Sequence, residues 1–248
     1  MQHAARTSPS FSRRPGERWP GFAERIANAF GLVLVLVLLT YVLASLTSYH
    51  GWTAVPIAAV TSASATLAVA TAGGRRRLIR SAGCLAALSV LLATIAAATG
   101  GAPPLALSAL LLAALLALAA FSVLRAVIGE SEVGFRTILG AISVYLIFAL
   151  LFTLLYVGVD RLQPGPLFGS SAHLGKGDYL FFSLTTLTTT GYGNLVPAGQ
   201  PGKMFAGLEM LLGQIFLVTM IAGLVSLWRP GEWMRSKQQE RGEPRSGA

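Results

Sequence analysis

The sequence has little charge: only 12% of its 248 residues are Asp, Glu, Lys or Arg, whereas 54% are hydrophobic. A soluble domain normally has about a quarter charged residues. No charged residue occurs between Arg25 and Arg75, or between Arg80 and Arg125. Each of these stretches is long enough for two membrane crossings of about 20 residues. The pattern excludes an ordinary soluble domain and predicts a polytopic all-α membrane protein.

Cysteine and polar clusters are also scarce. Cys84 is the single cysteine, so a framework of disulfides within the chain is excluded. The three histidines, His3, His50 and His173, fall in the predicted tail or loops, and the predicted spans contain no pair of His or Asp residues. Because histidines in such places are solvated more often than they bind metal, we predict no metal–histidine site and no enzymatic activity.

Six apolar runs predict six membrane-spanning helices. They are Ile26–Thr47, Trp52–Ala72, Ser81–Thr99, Leu105–Ile128, Thr137–Val159 and Lys203–Trp228. Small residues crowd the second to fourth runs, which favours close helix packing in lipid. We divide the chain into a basic tail (1–24), a four-helix membrane domain (25–132), a second membrane domain (133–228) and a polar tail (229–248).

The positive residues predict the orientation. The two tails and the loops around residues 75–80 and 125–136 hold most of the Lys and Arg, and the loops at 48–51 and 100–104 hold none. By the positive-inside rule both termini are cytoplasmic. The net charge of +9 is therefore interpreted as a topology signal and not as a nucleic-acid surface; contact of the N-terminal tail with anionic lipid is the alternative. The first run is too long for a cleavable signal peptide and is predicted to be a signal anchor.

A short run between the fifth and sixth spans predicts a re-entrant helix on the outer side. Residues 179–188 are apolar or hydroxyl-bearing and too few to cross a bilayer, and Asp178 is the predicted N-cap. Irregular backbone at membrane depth is tolerated only where protein or a water-filled cavity covers it. Gly191 and Gly193, just after the run, can adopt positive φ and turn successive carbonyl groups to one side. Rings of such carbonyls can replace the water around a potassium ion.

The stretch from Thr188 to Asn194 resembles the selectivity filter of tetrameric potassium channels. Four residues match the usual filter, and a threonine stands where valine is common: Thr189, Gly191, Tyr192 and Gly193 match, and Thr190 differs. The resemblance implies K⁺ coordination by the carbonyls of residues 189–192 and the Thr189 hydroxyl, with no other cofactor. One loop per chain then implies a homotetramer, because four loops are needed to close the ring.

The resemblance also implies roles around the filter. Phe181 and Phe182 stand where the family often has aromatic residues that brace the filter tyrosine, here Tyr192. Asn194 replaces the usual aspartate at the outer mouth, and Thr185 stands where some relatives have a glutamate. Both replacements remove charge, so we expect no carboxylate pair to regulate this filter.

Two residues of the sixth span are further candidates. Gly213 lies twenty residues after Gly193, as the hinge glycine does in this family. It is either a hinge or a site of close helix packing. Glu209 is the only acidic residue within a predicted span, and an intramembrane carboxylate suggests a functional site. Its place near the outer end favours a hydrogen bond behind the filter over an ion ring in the pore.

The sequence lacks a recognisable gating device. A voltage sensor needs several regularly spaced basic residues on the fourth span, which has only Arg125 at its inner end. No phosphate-binding glycine loop is found, and the C-terminal tail is too short for a regulatory domain. We therefore expect the gate in the filter, the inner helix or a separate partner.

The sequence predicts a passive, potassium-selective channel subunit in the plasma membrane. Residues 133–228 would form its pore domain. A poorly selective cation channel is the first alternative, and a subunit of a potassium transporter is a weaker one.

Overall fold

The regular secondary structure of the described residues is helical. The computed structural model describes residues 20–46, 51–129, 135–169, 174 and 177–227. The predicted polar tail 229–248, most of the basic tail and the loops around 48–50 and 130–134 lie outside these residues. The helices are α1 (Pro20–Leu46), α2 (Ala54–Thr71, preceded by the 3₁₀ turn Gly51–Thr53), α3 (Arg76–Thr99), α4 (Ala102–Ile128), α5 (Phe135–Leu162), α6 (Asp178–Leu187) and α7 (Gln200–Leu227).

Five helical segments are long and apolar enough to cross a membrane. They are Gly51–Thr71, Arg76–Thr99, Ala102–Ile128, Thr137–Leu162 and Gln200–Met220. Within α1, the apolar part among the described side chains, Gly31–Leu46, is shorter. The prediction of an all-α, multi-pass membrane protein is confirmed at this level, whereas the sixth crossing stays a prediction.

Several helices begin before the predicted apolar boundary. α1 begins at Pro20 instead of Ile26, and α4 includes Pro103 and Pro104 in its first turn. Proline is tolerated there because the first N–H groups of a helix have no intrahelical partner. α3 begins at Arg76 instead of Ser81, since arginine is a good helix former and its long side chain can extend to water.

Small side chains pack the first four helices together. The buried face of α2 includes Ala58, Ala65 and Ala68, as predicted from the composition. Ser89 of α3 links its neighbours: its carbonyl accepts from the Ser108 hydroxyl of α4 at 2.8 Å, and its hydroxyl lies 3.2 Å from the Ser62 hydroxyl of α2. These contacts fill the core of this bundle with small groups and hydroxyls.

Helix α5 joins this bundle to the remaining helices. It packs against α1 and α4 on one side and against α6 and α7 on the other. At Gly158 the approach to α4 is so close that a Cβ would lie 2.7 Å from the Leu110 side chain. No strand is found in the described parts of the chain, where Phe168 and Pro197 form an isolated antiparallel bridge. The bridge ties the loop before α6 to the loop after it.

Candidate functional site

Helix α6 is a half-length helix held between α5 and α7. Its buried residues are Leu180, Phe182, Ser183, Thr185, Thr186 and Leu187. The prediction that Asp178 caps it is wrong: Gly177 occupies the N-cap position with φ of 80°, and Asp178 begins the first turn. Glycine takes this left-handed conformation without a Cβ clash, and a carboxylate in the first turn still interacts favourably with the helix dipole.

The backbone after α6 alternates in the sign of φ. Thr189, Gly191 and Gly193 have φ values of 58°, 52° and 77°, whereas the intervening Thr190 and Tyr192 have negative φ. Thr189 is the single non-glycine residue with positive φ among the described residues, and a threonine there is strained. This alternation is the geometry that brings successive carbonyls toward one side.

Two backbone hydrogen bonds define which way the carbonyls point. The N–H groups of Thr189 and Gly191 donate back into α6, to the carbonyls of Thr186 at 3.1 Å and Thr185 at 3.0 Å. In a trans peptide the C=O points opposite to the N–H of the same unit. The carbonyls of Thr188 and Thr190 therefore point away from α6, toward the open side of the loop.

Two threonine hydroxyls add a second link between the loop and α6. The Thr188 hydroxyl donates to the Leu184 carbonyl at 2.7 Å and lies 2.8 Å from the Thr190 hydroxyl. Since Thr188 has one hydroxyl proton, Thr190 is the donor between the two. Thr188 belongs to the filter-like stretch of the sequence, but no role was predicted for its side chain.

Aromatic residues surround the loop in two layers. Phe181 stacks on Tyr192, with ring centroids 5.7 Å apart and planes 11° apart, which is the contact expected of a bracing residue. Phe182 lies deeper, and its ring partners are Tyr156 at 5.1 Å and Phe168 at 4.8 Å. The direct contact with Tyr192 implied for Phe182 is therefore not formed within the chain.

Glu209 lies behind the loop in a fully buried position. Its side chain is 0% exposed, accepts a hydrogen bond from the Tyr156 hydroxyl of α5 at 2.6 Å, and is hydrogen-bonded to the Ser183 hydroxyl of α6 at 2.5 Å. Of the two roles predicted for Glu209, the arrangement matches the hydrogen bond behind the loop. Tyr156 and Ser183 were not identified from the sequence, because neither carries a signal in an apolar run.

Thr185 and Asn194 are the two uncharged replacements noted in the sequence. Thr185 is buried, and its hydroxyl bonds to the Phe182 carbonyl at 3.0 Å within α6. Asn194 lies exposed beyond Gly193.

Asp160, at the end of α5, holds the loop before α6. It accepts from the Tyr179 hydroxyl at 2.5 Å and from the Leu167 N–H at 3.1 Å.

Gly213 of α7 lies against the end of α6. A Cβ at Gly213 would lie 2.5 Å from the Leu187 carbonyl oxygen and 2.8 Å from the Leu187 side chain. The same carbonyl accepts from the Tyr145 hydroxyl of α5 at 3.3 Å. Helix α7 continues unbroken through Gly213, so close packing accounts for this glycine, and the hinge stays a prediction.

One side of the site is uncovered in the single chain. Tyr192 is 71% exposed, and residues 188–194 are all exposed. Helix α7 continues this surface with large apolar side chains, namely Met204, Leu208, Met210, Leu211, Ile215 and Val218. The outward-pointing carbonyls and this apolar face thus lie on the part of the molecule that its own chain does not cover.

A protein-family model matches the part of the chain that contains the loop. Residues 140–229 match the family model described as "Ion channel". The matched range contains most of α5 and all of α6, the loop and α7. The match supports an ion channel.

Two relatives are similar over a shorter segment. The chain is 38% identical over 55 residues to the mouse protein "Potassium channel subfamily K member 10" and 36% identical over 55 residues to its human counterpart. In each case the segment covers 22% of this chain and 10% of the relative. No solved structure matches.

Proposed function

We propose that this protein is the subunit of a potassium-selective channel that conducts K⁺ passively through a homotetrameric pore. The observation that carries the proposal is the alternating backbone of residues 189–193 at the end of α6, within the ion channel match. Its carbonyls from Thr189 to Tyr192, with the Thr189 hydroxyl, would coordinate the dehydrated ion. The printed names of the two relatives support potassium as that ion.

The proposed tetramer accounts for the uncovered side of the site. One loop supplies one quarter of a carbonyl ring, and the exposed α7 face next to it would be covered by neighbouring subunits and lipid. We further propose six spans in the plasma membrane with both termini cytoplasmic, which places the loop at the outer side. The protein would act without enzymatic chemistry and without a nucleic-acid partner; a separate regulatory partner is left open.

Reconstitution tests the selectivity directly. In vesicles with K⁺ on one side and Na⁺ on the other, the reversal potential is expected near the K⁺ equilibrium value. A value midway between the two ions would instead support a poorly selective cation channel. Uphill K⁺ movement coupled to another gradient would support a transporter subunit.

The variant Gly191→Ala tests the loop assignment. A Cβ at Gly191 meets nothing within 4 Å within the chain, so the substitution acts through the positive φ of 52° alone. We expect K⁺ current to be lost while the oligomer still assembles. Gly83→Ala on α3 is the matched control, since its Cβ also meets nothing and its φ is not positive. Unchanged current in Gly191→Ala would remove the loop from the conduction pathway.

A further inference from the structure

Three short oxygen–oxygen contacts connect Glu209 to its surroundings, two of them directly and the third through Ser183. The Tyr156 hydroxyl lies 2.6 Å from Oε2, and the Ser183 hydroxyl lies 2.5 Å from Oε1. The same Ser183 oxygen also lies 2.8 Å from the Ala149 carbonyl of α5. All four residues are buried, at 1% exposure or less, so water does not share in these contacts.

Each of these contacts needs one proton between its two oxygens. Tyr156 and Ser183 carry one hydroxyl proton each, and a carbonyl or an ionised carboxylate carries none. A hydroxyl proton shared between two acceptors makes bent and long contacts to both, whereas the Ser183 oxygen lies 2.5 Å and 2.8 Å from its two partners. Two protons therefore do not satisfy three contacts of this length. The remaining proton has to come from the carboxyl group of Glu209.

An ionised Glu209 would leave one contact unsatisfied. Ser183 would then donate to the carboxylate, and its oxygen would face the Ala149 carbonyl at 2.8 Å without a proton between them. The Thr153 hydroxyl bonds to the same carbonyl at 2.7 Å and supplies no proton to Ser183. A buried ionised carboxylate is also costly without a cation. The titratable groups that act on Glu209 are tyrosines of α5, Tyr145 and Tyr156, and α6 meets it with Ser183.

We propose that Glu209 holds a proton at neutral pH and forms a neutral hydrogen-bonded chain through three helices. Glu209 Oε1–H donates to Ser183 Oγ, the Ser183 hydroxyl donates to the Ala149 carbonyl, and the Tyr156 hydroxyl donates to Oε2. The chain joins α7 and α5 to α6, the helix that carries the proposed filter. Glu209 is thus a positioning residue, and this role in conduction rests on the proposed function.

Loss of this proton has a definite structural consequence. The Ser183 hydroxyl would have to donate its hydrogen bond to the carboxylate, so its hydrogen bond to the Ala149 carbonyl would be lost. A negative charge would also appear behind the loop. Alkaline pH is therefore expected to loosen α6 from α5 and to reduce conduction.

Infrared spectroscopy of the full protein in lipid tests the protonation without any conduction assay. At neutral pH we expect the C=O stretch of a protonated carboxylic acid, shifted in D₂O and lost in Glu209→Gln. Asp160→Asn is the matched control. Among the described residues Asp160 accepts from two donors, the Tyr179 hydroxyl and the Leu167 N–H, so these contacts need no proton on its carboxyl group. A spectrum that Glu209→Gln leaves unchanged in this region would overturn the proposal.

Flux measurements test the positioning role. A glutamine side chain cannot ionise and keeps the shape of the protonated glutamate, so Glu209→Gln is expected to conduct like the wild type at neutral pH and to resist the alkaline loss. An equal alkaline loss in both proteins would overturn the positioning role. If neither protein conducts K⁺ at any pH, the proposed function fails, and the infrared result still decides the protonation state.

Discussion

At the scale of single residues, Thr188 and Thr190 form a hydroxyl chain that runs from the loop to the last turn of α6. The Thr190 hydroxyl donates to Thr188, which donates to the Leu184 carbonyl. The usual valine of the filter family could not form this link. A threonine in place of valine at residue 190 therefore adds a hydrogen-bonded link between the loop and α6. The backbone carbonyl of residue 190 is the same in both cases.

The variant Thr190→Val tests this link. The substitution removes the donor with little change in volume, and a lost hydrogen bond costs about 1 kcal/mol. We expect K⁺ selectivity to be retained, and a higher K⁺ concentration to be needed to keep the oligomer intact on heating. The measurement is the oligomer fraction on a gel over a range of K⁺ concentrations.

Thr94→Val on α3 provides the control for this prediction. The Thr94 hydroxyl is exposed and donates to the Val90 carbonyl of its own helix. Thr94→Val should leave the K⁺ dependence of the oligomer fraction unchanged. Equal behaviour of the two variants would contradict a role of the hydroxyl chain in holding the loop.

At the scale of elements, α7 and α6 meet where Gly213 lies against the Leu187 carbonyl. In Gly213→Ala the new Cβ would lie 2.5 Å from that oxygen, and overpacking of this kind costs about 1–3 kcal/mol. We expect a lower thermal midpoint of unfolding in detergent. Gly207→Ala on the same helix is the control, because its Cβ meets nothing within 4 Å in the chain.

The two uses of Gly213 lead to different results. Close packing predicts that the alanine variant loses stability. A hinge alone predicts that gating changes while stability stays at the level of Gly207→Ala. Unfolding and current recorded on the same samples distinguish them.

The contact between α4 and α5 is a second close approach of elements. Gly158→Ala would bring a Cβ to 2.7 Å from Leu110, so we expect it to destabilise the protein. Leu110→Ala frees the space. The double variant should then be less destabilised than the sum of the single variants by about 0.5–3 kcal/mol. Additive effects in thermal unfolding would show that the two residues do not share this contact.

At the scale of the whole molecule, the fourth helix of the bundle lacks the series of basic residues that a voltage sensor needs. Of the 27 residues of α4, Arg125 in the last turn is the charged one. Steep voltage dependence requires several charges per subunit to move across the field. In symmetric K⁺ we therefore expect a nearly linear current–voltage relation, with the same shape in Arg125→Gln. A steep relation that this variant flattens would contradict the interpretation.

The packing of the whole chain suggests that the bundle acts as a support. Gly177, the N-cap of α6, lies against α1, where an added Cβ would be 3.3 Å from the Ser45 carbonyl. Together with the contact between Gly158 of α5 and Leu110 of α4, this contact connects the bundle to α5 and to the start of α6. These contacts are the physical basis for a supporting role of the first four helices.

The helical membrane class, the approximate spans and the position of the loop could all be predicted from the sequence. These properties depend on local hydropathy, charge and glycine positions, which are visible in a linear pattern. Boundaries were less accurate, because α1, α3 and α4 continue through prolines and arginines that hydropathy treats as loop residues.

The surroundings of the loop could be found only from the packing of the helices. Glu209 is separated by 53 residues from Tyr156 and by 26 residues from Ser183, and no local pattern marks a tyrosine or serine in an apolar run as the partner of a distant carboxyl group. The same holds for Gly213 and Leu187, whose contact depends on how α7 crosses the end of α6. Local sequence thus specifies where the chain can turn its carbonyls, whereas packing between distant helices specifies what holds them there.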